Sequence, residues 1–225
     1  MQMSSARMER DGGDQRIYDR LKERLLTDPP LPGKALQARL LADELGVSTT
    51  PVREALTRLA AERLLAASRH RGFFVKVPSE QEIRGLYYAN KVALHAALDR
   101  WPIHVCDGNA APHMTRSRCD AGANARATGE LFLRIVARSC IDELMHIVSN
   151  IGDRLYRVRI VEFALIEGVQ EELGRLAAAL VQHRRDDLRA MLCAYHDRRE
   201  AIAFTICEQL LIESYFPAGR EADSL

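Results

Sequence analysis

The segment VSTTPVREAL brings hydroxyl and guanidinium side chains together directly after a glycine. Ser48, Thr49 and Thr50 precede Pro51, and Arg53 follows within one helical turn. Hydroxyl groups and the free N–H groups at the start of a helix hydrogen-bond well to phosphate oxygens. An arginine can grip a phosphate or donate two hydrogen bonds to a guanine edge. These residue types in this order favour contact with the backbone and base edges of a nucleic acid.

Two helical patterns, joined at a tight turn, must position this cluster. The first ends at Gly46, a residue suited to a left-handed helix end, and its apolar residues are Leu36, Leu40, Leu41 and Leu45. The second runs from about Thr50 to Arg63. Ser48 or Thr49 can serve as its N-cap, and Pro51 suits its first turn because no N–H needs a partner there.

A further helix and a hairpin flank these two elements. Apolar residues at helical spacing predict a helix from Gln15 to Leu25, and the prolines and glycine of TDPPLPGK end it. After the second helix, LLAAS and GFFVKV are strand-like runs closed by Gly72. Helix, turn, helix and hairpin in this order predict a winged helix-turn-helix over residues 13–77. The second helix of such a unit lies in the DNA major groove.

Charge is unevenly distributed along the chain. Residues 1–77 carry 14 Lys and Arg against 10 Asp and Glu, a net +4, whereas residues 78–225 carry 18 against 21, a net −3. The overall charge of +1 conceals this difference. A modest positive charge is compatible with phosphate contact, but it does not by itself separate a DNA-binding domain from an ordinary surface.

The composition, 47% hydrophobic and 28% charged, is typical of a folded soluble protein. We expect no membrane-spanning segment, because no apolar run approaches the ~20 residues that a membrane-spanning helix needs. The polar N-terminus lacks a secretory signal, so we expect a cytoplasmic protein whose residues 1–12 form a disordered tail. We find no P-loop, dinucleotide fingerprint, nucleophile elbow or HExxH pair and expect no enzymatic activity.

The segment PGKALQARLLADELGVSTTPVREALTRLAAERLLAASRHRGFFV, from Pro32 to Val75, resembles the GntR family of bacterial transcription regulators. This resemblance implies a DNA-binding regulator. Thr49 departs from the family pattern, which usually has an arginine there, and Glu62-Arg63 replaces the usual helix-ending glycine. The predicted DNA-contacting residues are Arg39, Ser48, Thr49, Thr50, Arg53, Arg71 and Gly72.

The C-terminal two thirds of the chain, residues 78–225, read as helices throughout. Ser79 and Glu82 form a capping-box pair that opens the first of them. Further helices are predicted at about 128–138, 141–160, 164–183 and 186–212, with Thr128, Asp142 and Asp186 or Asp187 as capping signals. An all-helical domain directly after the wing resembles the FadR-like (FCD) subfamily. The resemblance implies a ligand-binding and dimerisation domain.

Members of the FCD subfamily commonly hold a divalent metal through an aspartate and three histidines, and the metal helps to bind a small carboxylate effector. Those positions fall on Gly129, Leu133, Leu173 and His196, so only the last keeps a ligand. We therefore expect no metal cofactor. The predicted effector-binding residues are Lys91, His95, Arg154 and His196. Arg157 and Arg159 share a helix with Arg154, and one of these arginines could face the interior.

A zinc site is a further alternative in the irregular stretch HVCDGNAAPHMTRSRC. It would use His104, Cys106, His113 and Cys119, although their spacing matches none of the common zinc fingers. The chain has five cysteines, an odd number without CxxC pairs, which argues against a disulfide framework. We expect them to be mostly buried thiols.

The sequence thus predicts a homodimeric regulator that binds a palindromic operator in double-stranded DNA and responds to a small-molecule effector, acting as a repressor. Two alternatives remain open. One is a helical metabolite- or metal-binding protein whose winged helix mediates protein contact. The other is a degenerate regulator without an effector.

Overall fold

The computed structural model describes residues 2–102 and 120–215, with side chains from Gly13 onward. Its backbone contacts divide the described residues into two compact units, residues 2–77 with 214–215 and residues 78–213. The first unit combines helices with a small sheet, and the second is helical over its described residues. The predicted fold class, a winged helix-turn-helix followed by an all-helical bundle, is confirmed.

The first unit has the element order of a winged helix. Its elements are α1 (Gln2–Thr27), β1 (Ala35–Leu36), α2 (Ala38–Leu45), α3 (Thr49–Ala61), β2 (Ala66–Ser68) and β3 (Gly72–Phe74). The strands form an antiparallel sheet in the order β1-β3-β2, with Ala35 opposite Phe74 and Ala67 opposite Phe73. The sequence predicted the β2-β3 hairpin but not β1, because two residues are too few to show the alternation that marks a strand.

The apolar faces of α1, α2 and α3 meet in one core. On α3 the buried positions recur every three or four residues, which is the spacing of one helix face. The remaining faces carry mostly charged and polar residues, although Leu40 on α2 is also exposed. The core consists of Tyr18, Leu21, Leu41, Ala42, Val52, Ala55, Leu56, Leu59, Leu65 and Val75.

Both helices of the helix-turn-helix end in a left-handed residue. Gly46 follows α2 with φ 68°, as predicted, and glycine accepts this conformation without steric cost. After α3 the left-handed residue is Arg63, with φ 61°. The amides of Arg63 and Leu64 donate to the carbonyls of Ala60 and Leu59, both at 3.0 Å, and so close a Schellman motif. Arg63 therefore occupies the left-handed position after the helix, where glycine is the usual residue.

Helix α1 begins earlier than the sequence suggested. It starts at Gln2, so residues 2–12, which we expected to form a disordered tail, are helical in the structure. Most residues between Gln2 and Arg10 are good helix formers, and the pair Gly12-Gly13 alone suggested a break. Contacts of α1 with α3 fix its C-terminal half.

The second unit is built from α4 (Glu80–Asp99), α5 (Ala121–Ala137), α6 (Asp142–Leu165), α7 (Val169–Val181), α8 (Arg185–Ala201) and α9 (Ala203–Tyr215). Helix α4 packs against α5, α6 and α8, and α5 packs against α6. The capping box of Ser79 and Glu82 is confirmed.

Several helix boundaries in this unit differ from the prediction. Helix α6 runs to Leu165 and not to 160, and its N-cap is Ile141 and not Asp142. Helix α5 begins at Ala121, capped by Asp120, so Thr128 lies inside it and bonds the carbonyl of Asn124 at 2.9 Å. Gly168 is left-handed and delays α7 to Val169. The single helix predicted over 186–212 is broken at Ile202 into α8 and α9. No proline or glycine marks that break in the sequence.

The described residues also test two other expectations. No helix among them is both long and apolar enough to span a membrane. The expected burial of the cysteines is wrong for Cys140, which is exposed in the turn between α5 and α6, while Cys193 and Cys207 are half-buried. Cys140 has φ 54°, a turn conformation that keeps its side chain away from the core.

Candidate nucleic-acid interface and interior ion cluster

Every residue predicted to contact DNA is exposed in the structure. They are Arg39, Ser48, Thr49, Thr50, Arg53, Arg71 and Gly72. The exposure follows from the helix face that α3 buries, since Val52, Ala55 and Leu56 point into the core and Arg53 points away from it. Within the described part of the chain, no ion pair engages the Arg53 guanidinium. Its hydrogen-bond donors are therefore available to a partner.

The first turn of α3 leaves its polar groups open. Ser48 is the N-cap, but its hydroxyl makes no capping hydrogen bond. An N-cap side chain normally accepts from the N–H of the second or third helical residue. The third residue here is Pro51, which has no N–H. The Ser48 hydroxyl and the amides of Thr49 and Thr50 are thus placed where a helix end binds phosphate.

The wing carries further cations. Gly72 opens β3 with φ 68°, and Arg71 beside it lies over the Phe74 ring at 5.2 Å. Arg69 and His70 are also exposed in the hairpin turn. Because a glycine at this tip has no side chain, its backbone can approach a partner closely.

A polar network braces α3 against α1. The Tyr18 hydroxyl donates to Glu62 and Arg58 lies over the Tyr18 ring at 3.8 Å. Arg58 also pairs with Glu62 at 3.2 Å and donates to Gln15 at 2.8 Å. Burial, followed by the hydrogen bond to Glu62, raises the pKa of Tyr18 to about 12. This network orients α3 from its C-terminal half and leaves its first turn free.

The predicted effector residues fall in the second unit, where two of them already have partners on α8. Lys91 lies 2.7 Å from Asp197 and 3.0 Å from Glu200, and the hydrogen bond to Asp197 raises its pKa. His95 is half-buried, with Nε2 3.7 Å from the Cys193 thiol. Burial, and then the charge of Arg189, lowers the pKa of His95.

His196 is fully buried and both of its ring nitrogens are engaged. Its Nδ1 lies 2.6 Å from the carbonyl of Leu192, so Nδ1 carries the proton and Nε2 accepts from Asn90 at 3.1 Å. The ring stacks on Phe132, with centroids 5.7 Å apart. Burial lowers the pKa of His196 to about 3. In this environment His196 is a neutral packing residue, and neither nitrogen is open to a ligand.

The metal positions implied by the FCD resemblance remain without ligands in the structure. Gly129 offers no side chain, and Leu133 and Leu173 offer only hydrocarbon. Within residues 13–102 and 120–215, no three His, Cys, Asp or Glu side chains come together as a metal site. The zinc alternative at His104, Cys106, His113 and Cys119 lies outside the described residues.

Sequence reasoning did not identify an ion cluster inside the helical unit. Glu162 on α6 is fully buried and accepts from Arg199 at 3.0 Å, from Tyr195 at 3.3 Å and from Tyr87. Arg199 also pairs with Glu172 on α7 at 2.9 Å. The cluster ties α4, α6, α7 and α8 together. Its signal in the sequence is a charge on an apolar stripe, since Glu162 follows Leu155 and Val158 on the same helix face.

Arg159 is the buried arginine of α6, whereas Arg154, predicted to bind the effector, is half-buried. The Arg159 side chain is 1% exposed and lies over the Phe132 ring at 5.3 Å. Among the described residues, its Nε and Nη2 atoms have no hydrogen-bond partner.

The fold and the exposed first turn of α3 define a winged helix-turn-helix DNA-binding protein. Residues 14–75 match the family model described as bacterial regulatory proteins, gntR family. The N-terminal domain is thus that of the GntR family of DNA-binding transcriptional regulators.

Similar proteins agree with this assignment. The chain is 27% identical over 172 residues to an Nta operon transcriptional regulator of Aminobacter aminovorans, covering 73% of this chain and 81% of the relative. A putative GntR transcriptional regulator from Rhodococcus sp. RHA1 has a similar fold, with a TM-score of 0.65 and 19% identity over 86% of this chain and 98% of that chain. The E. coli protein McbR/YncC matches with a TM-score of 0.56 and 23% identity over 85% and 97% of the two chains.

Proposed function

We propose that this regulator is a repressor that binds a palindromic operator as a homodimer and releases it when a small carboxylate enters its helical domain. The observation that carries the DNA-binding part is the first turn of α3. Ser48, Thr49, Thr50 and Arg53 are all exposed there, while the opposite face of the helix is buried. This arrangement is the one needed to insert a helix N-terminus into the major groove.

Two copies are needed for operator selection. A single good bidentate base contact discriminates by only about 1–3 kcal/mol, which is too little to select one site among the competing sites of a genome. A two-fold dimer on a palindrome adds the energies of two half-sites. Exposed apolar side chains on α4, Tyr88 and Val92, support a surface that a second copy covers.

The effector part of the proposal rests on the helical unit, which we assign to the FCD subfamily. Its interior holds buried cations among aromatic side chains, an environment that suits a small anion. A ligand that binds one arrangement of the dimer better than another shifts the population between them. Lower affinity for the operator in the ligand-bound arrangement would relieve repression.

The DNA-binding proposal is tested by isolating genomic fragments bound by the purified protein and sequencing them. A palindromic duplex designed from those fragments is then titrated by fluorescence anisotropy at several salt concentrations, beside a scrambled duplex of the same length. We expect tighter binding to the palindrome, with log K falling against log salt by about 0.9 per neutralised phosphate.

Equal affinity for the two duplexes, or binding that does not respond to salt, would contradict an operator-binding function. The protein would then fit the alternative in which the winged helix mediates protein contact. Release of the operator by a carboxylate, measured in the same assay, tests the effector part separately.

A further inference from the structure

The helical unit contains a buried arginine, Arg159, that forms no ion pair with the carboxylates of the ion cluster. Arg159 on α6 is 1% exposed, and a guanidinium stays charged inside a protein. Its Nε and Nη2 atoms are buried, and no residue in the described ranges 13–102 and 120–215 bonds them. Leaving such donors unpaired is costly, because they have lost their bonds to water without replacement.

The neighbouring carboxylates are committed to another arginine. Glu162 accepts from Arg199, Tyr195 and Tyr87, and Glu172 pairs with Arg199 at 2.9 Å. In the described parts of the chain, no ion pair reaches Arg159. The two buried arginines therefore differ: Arg199 has two carboxylate partners, and Arg159 has an aromatic ring.

The unpartnered atoms of Arg159 lie on a single edge of the guanidinium. In arginine the N–H of Nε and one N–H of Nη2 point in the same direction, side by side. A carboxylate matches this edge with its two oxygens and accepts two parallel hydrogen bonds. The unused edge is thus specific in shape as well as in charge.

Two glycines lie against the Nη1 side of this guanidinium. A Cβ atom added at Gly129 on α5 would lie 3.5 Å from Nη1 of Arg159, and one added at Gly152 would lie 3.9 Å from it. On another side the Phe132 ring lies 5.3 Å from the guanidinium carbon. None of these three residues offers a side-chain hydrogen-bond acceptor, so the Nε/Nη2 edge stays without a partner among the described residues.

We infer that Arg159 anchors the carboxylate of a small organic acid by its Nε/Nη2 edge, without a metal ion. This inference deepens the proposed function, because it names the residue that recognises the effector. It replaces Arg154 and His196 as the anchor, since the His196 ring nitrogens are both engaged by Leu192 and Asn90.

The test uses the intact protein and compares Arg159→Met with Arg199→Met. In buffer without a carboxylate we expect Arg159→Met to melt at the wild-type temperature or above, because it removes an unpaired buried charge. Arg199→Met should melt lower, because it leaves Glu162 and Glu172 without their partner. A clear fall in the Tm of Arg159→Met would show a structural role and overturn the inference.

The second readout is the response to probes: sodium acetate, sodium succinate and inorganic phosphate, each against sodium chloride at equal ionic strength. A probe at about five times its Kd should raise the wild-type Tm by about 2–4 °C. We expect this rise with the carboxylates and its loss in Arg159→Met. A rise with phosphate alone, no rise with any probe, or the same rise in both proteins would overturn the inference.

Operator binding, measured on the same preparations, separates this inference from the proposed function. Carboxylate binding that depends on Arg159, in a wild-type protein that does not distinguish its palindrome from a scrambled duplex, would leave the inference standing and overturn the proposed function. Specific operator binding without any carboxylate response would do the reverse.

Discussion

At the scale of single residues, the winged helix offers its partner a small number of unengaged donors. Arg53 is exposed, and its guanidinium has no ion pair within the described residues. The Ser48 hydroxyl beside it lacks its usual capping partner. Because neither group is needed to hold the fold, substitutions here should separate binding from stability.

We predict that Arg53→Ala abolishes specific operator binding and leaves the fold intact. The loss should be about 1–3 kcal/mol per half-site, the value of a bidentate base contact. Gel-shift titration measures the affinity, and thermal unfolding checks the fold. Arg20→Ala, an exposed arginine on α1, is the matched control and should bind normally. Retained operator affinity in Arg53→Ala would show that α3 is not the recognition helix.

A substitution at Thr49 should raise DNA affinity, whereas Arg53→Ala should lower it. The GntR pattern usually has an arginine at this position, and Thr49 is exposed in the first turn of α3. Thr49→Arg adds a cation where phosphate contacts are expected, so DNA affinity should rise. The slope of log K against log salt should steepen by about 0.9 for each added phosphate contact. An unchanged salt slope would place residue 49 away from the DNA backbone.

The buried His196 makes the stability of the helical unit depend on pH. Its pKa is about 3 in the folded protein against 6.5 as its ordinary value, so the folded state binds fewer protons than the unfolded state between these values. This contribution to stability is complete above pH 6.5 and is lost as the pH falls towards 3.

Between about pH 7 and about pH 5, we predict that the wild type loses about 2 kcal/mol more stability than His196→Gln. Urea unfolding of both proteins at the two pH values measures this difference. Equal losses would mean that His196 is not held neutral by burial.

At the scale of secondary-structure elements, the sequence predicted the units that carry local signals. Gly46 is left-handed after α2, and Ser79 and Glu82 cap α4, as their types indicated. The break at Ile202 and strand β1 were missed because tertiary packing, and not a glycine, proline or alternating pattern, sets them. The sequence placed Arg159 on one helix with Arg154 and Arg157, but it could not show which of them is buried, because that depends on helices distant in the chain.

The end of α3 offers an element-scale prediction. Arg63 adopts φ 61°, which costs a residue with a Cβ atom roughly 1–2 kcal/mol relative to glycine. We predict that Arg63→Gly stabilises the winged helix by about 1 kcal/mol. Amide hydrogen exchange on the whole protein should then slow by about fivefold in α2 and α3.

The matched control for Arg63→Gly is Arg20→Gly in the interior of α1, which should destabilise by about 0.5–1 kcal/mol because glycine is a poor helix former. Faster exchange in Arg63→Gly would mean that the arginine side chain contributes more than its backbone conformation costs.

At the scale of the whole molecule, the two parts of the chain differ in net charge. The N-terminal part carries the positive excess, which suits phosphate contact, and the C-terminal part carries a small negative excess. Operator recognition by one winged helix is too weak alone, so the proposed function depends on assembly as much as on Arg53.

The exposed apolar pair on α4 provides a test of assembly. Tyr88 and Val92 are 58% and 50% exposed and lie one turn apart. We predict that Val92→Glu places a charge in the interface between copies and yields a monomer of 25.3 kDa. Sedimentation equilibrium measures the mass, and operator affinity should fall with it.

Ile147→Glu on α6 is the control for Val92→Glu, because it introduces the same charge at another exposed apolar residue. It should leave both the mass and the affinity unchanged. A dimeric Val92→Glu would move the interface away from this face of α4.

Pro51 determines which hydrogen-bond partners are open to the Ser48 hydroxyl. A residue with an N–H at this position could donate a hydrogen bond to the Ser48 hydroxyl oxygen, and an incoming phosphate would have to compete with that bond. With proline at position 51, a phosphate competes only with water for the Ser48 hydroxyl. The first turn of α3 therefore lacks one capping hydrogen bond, and its polar groups remain available to bind an anion.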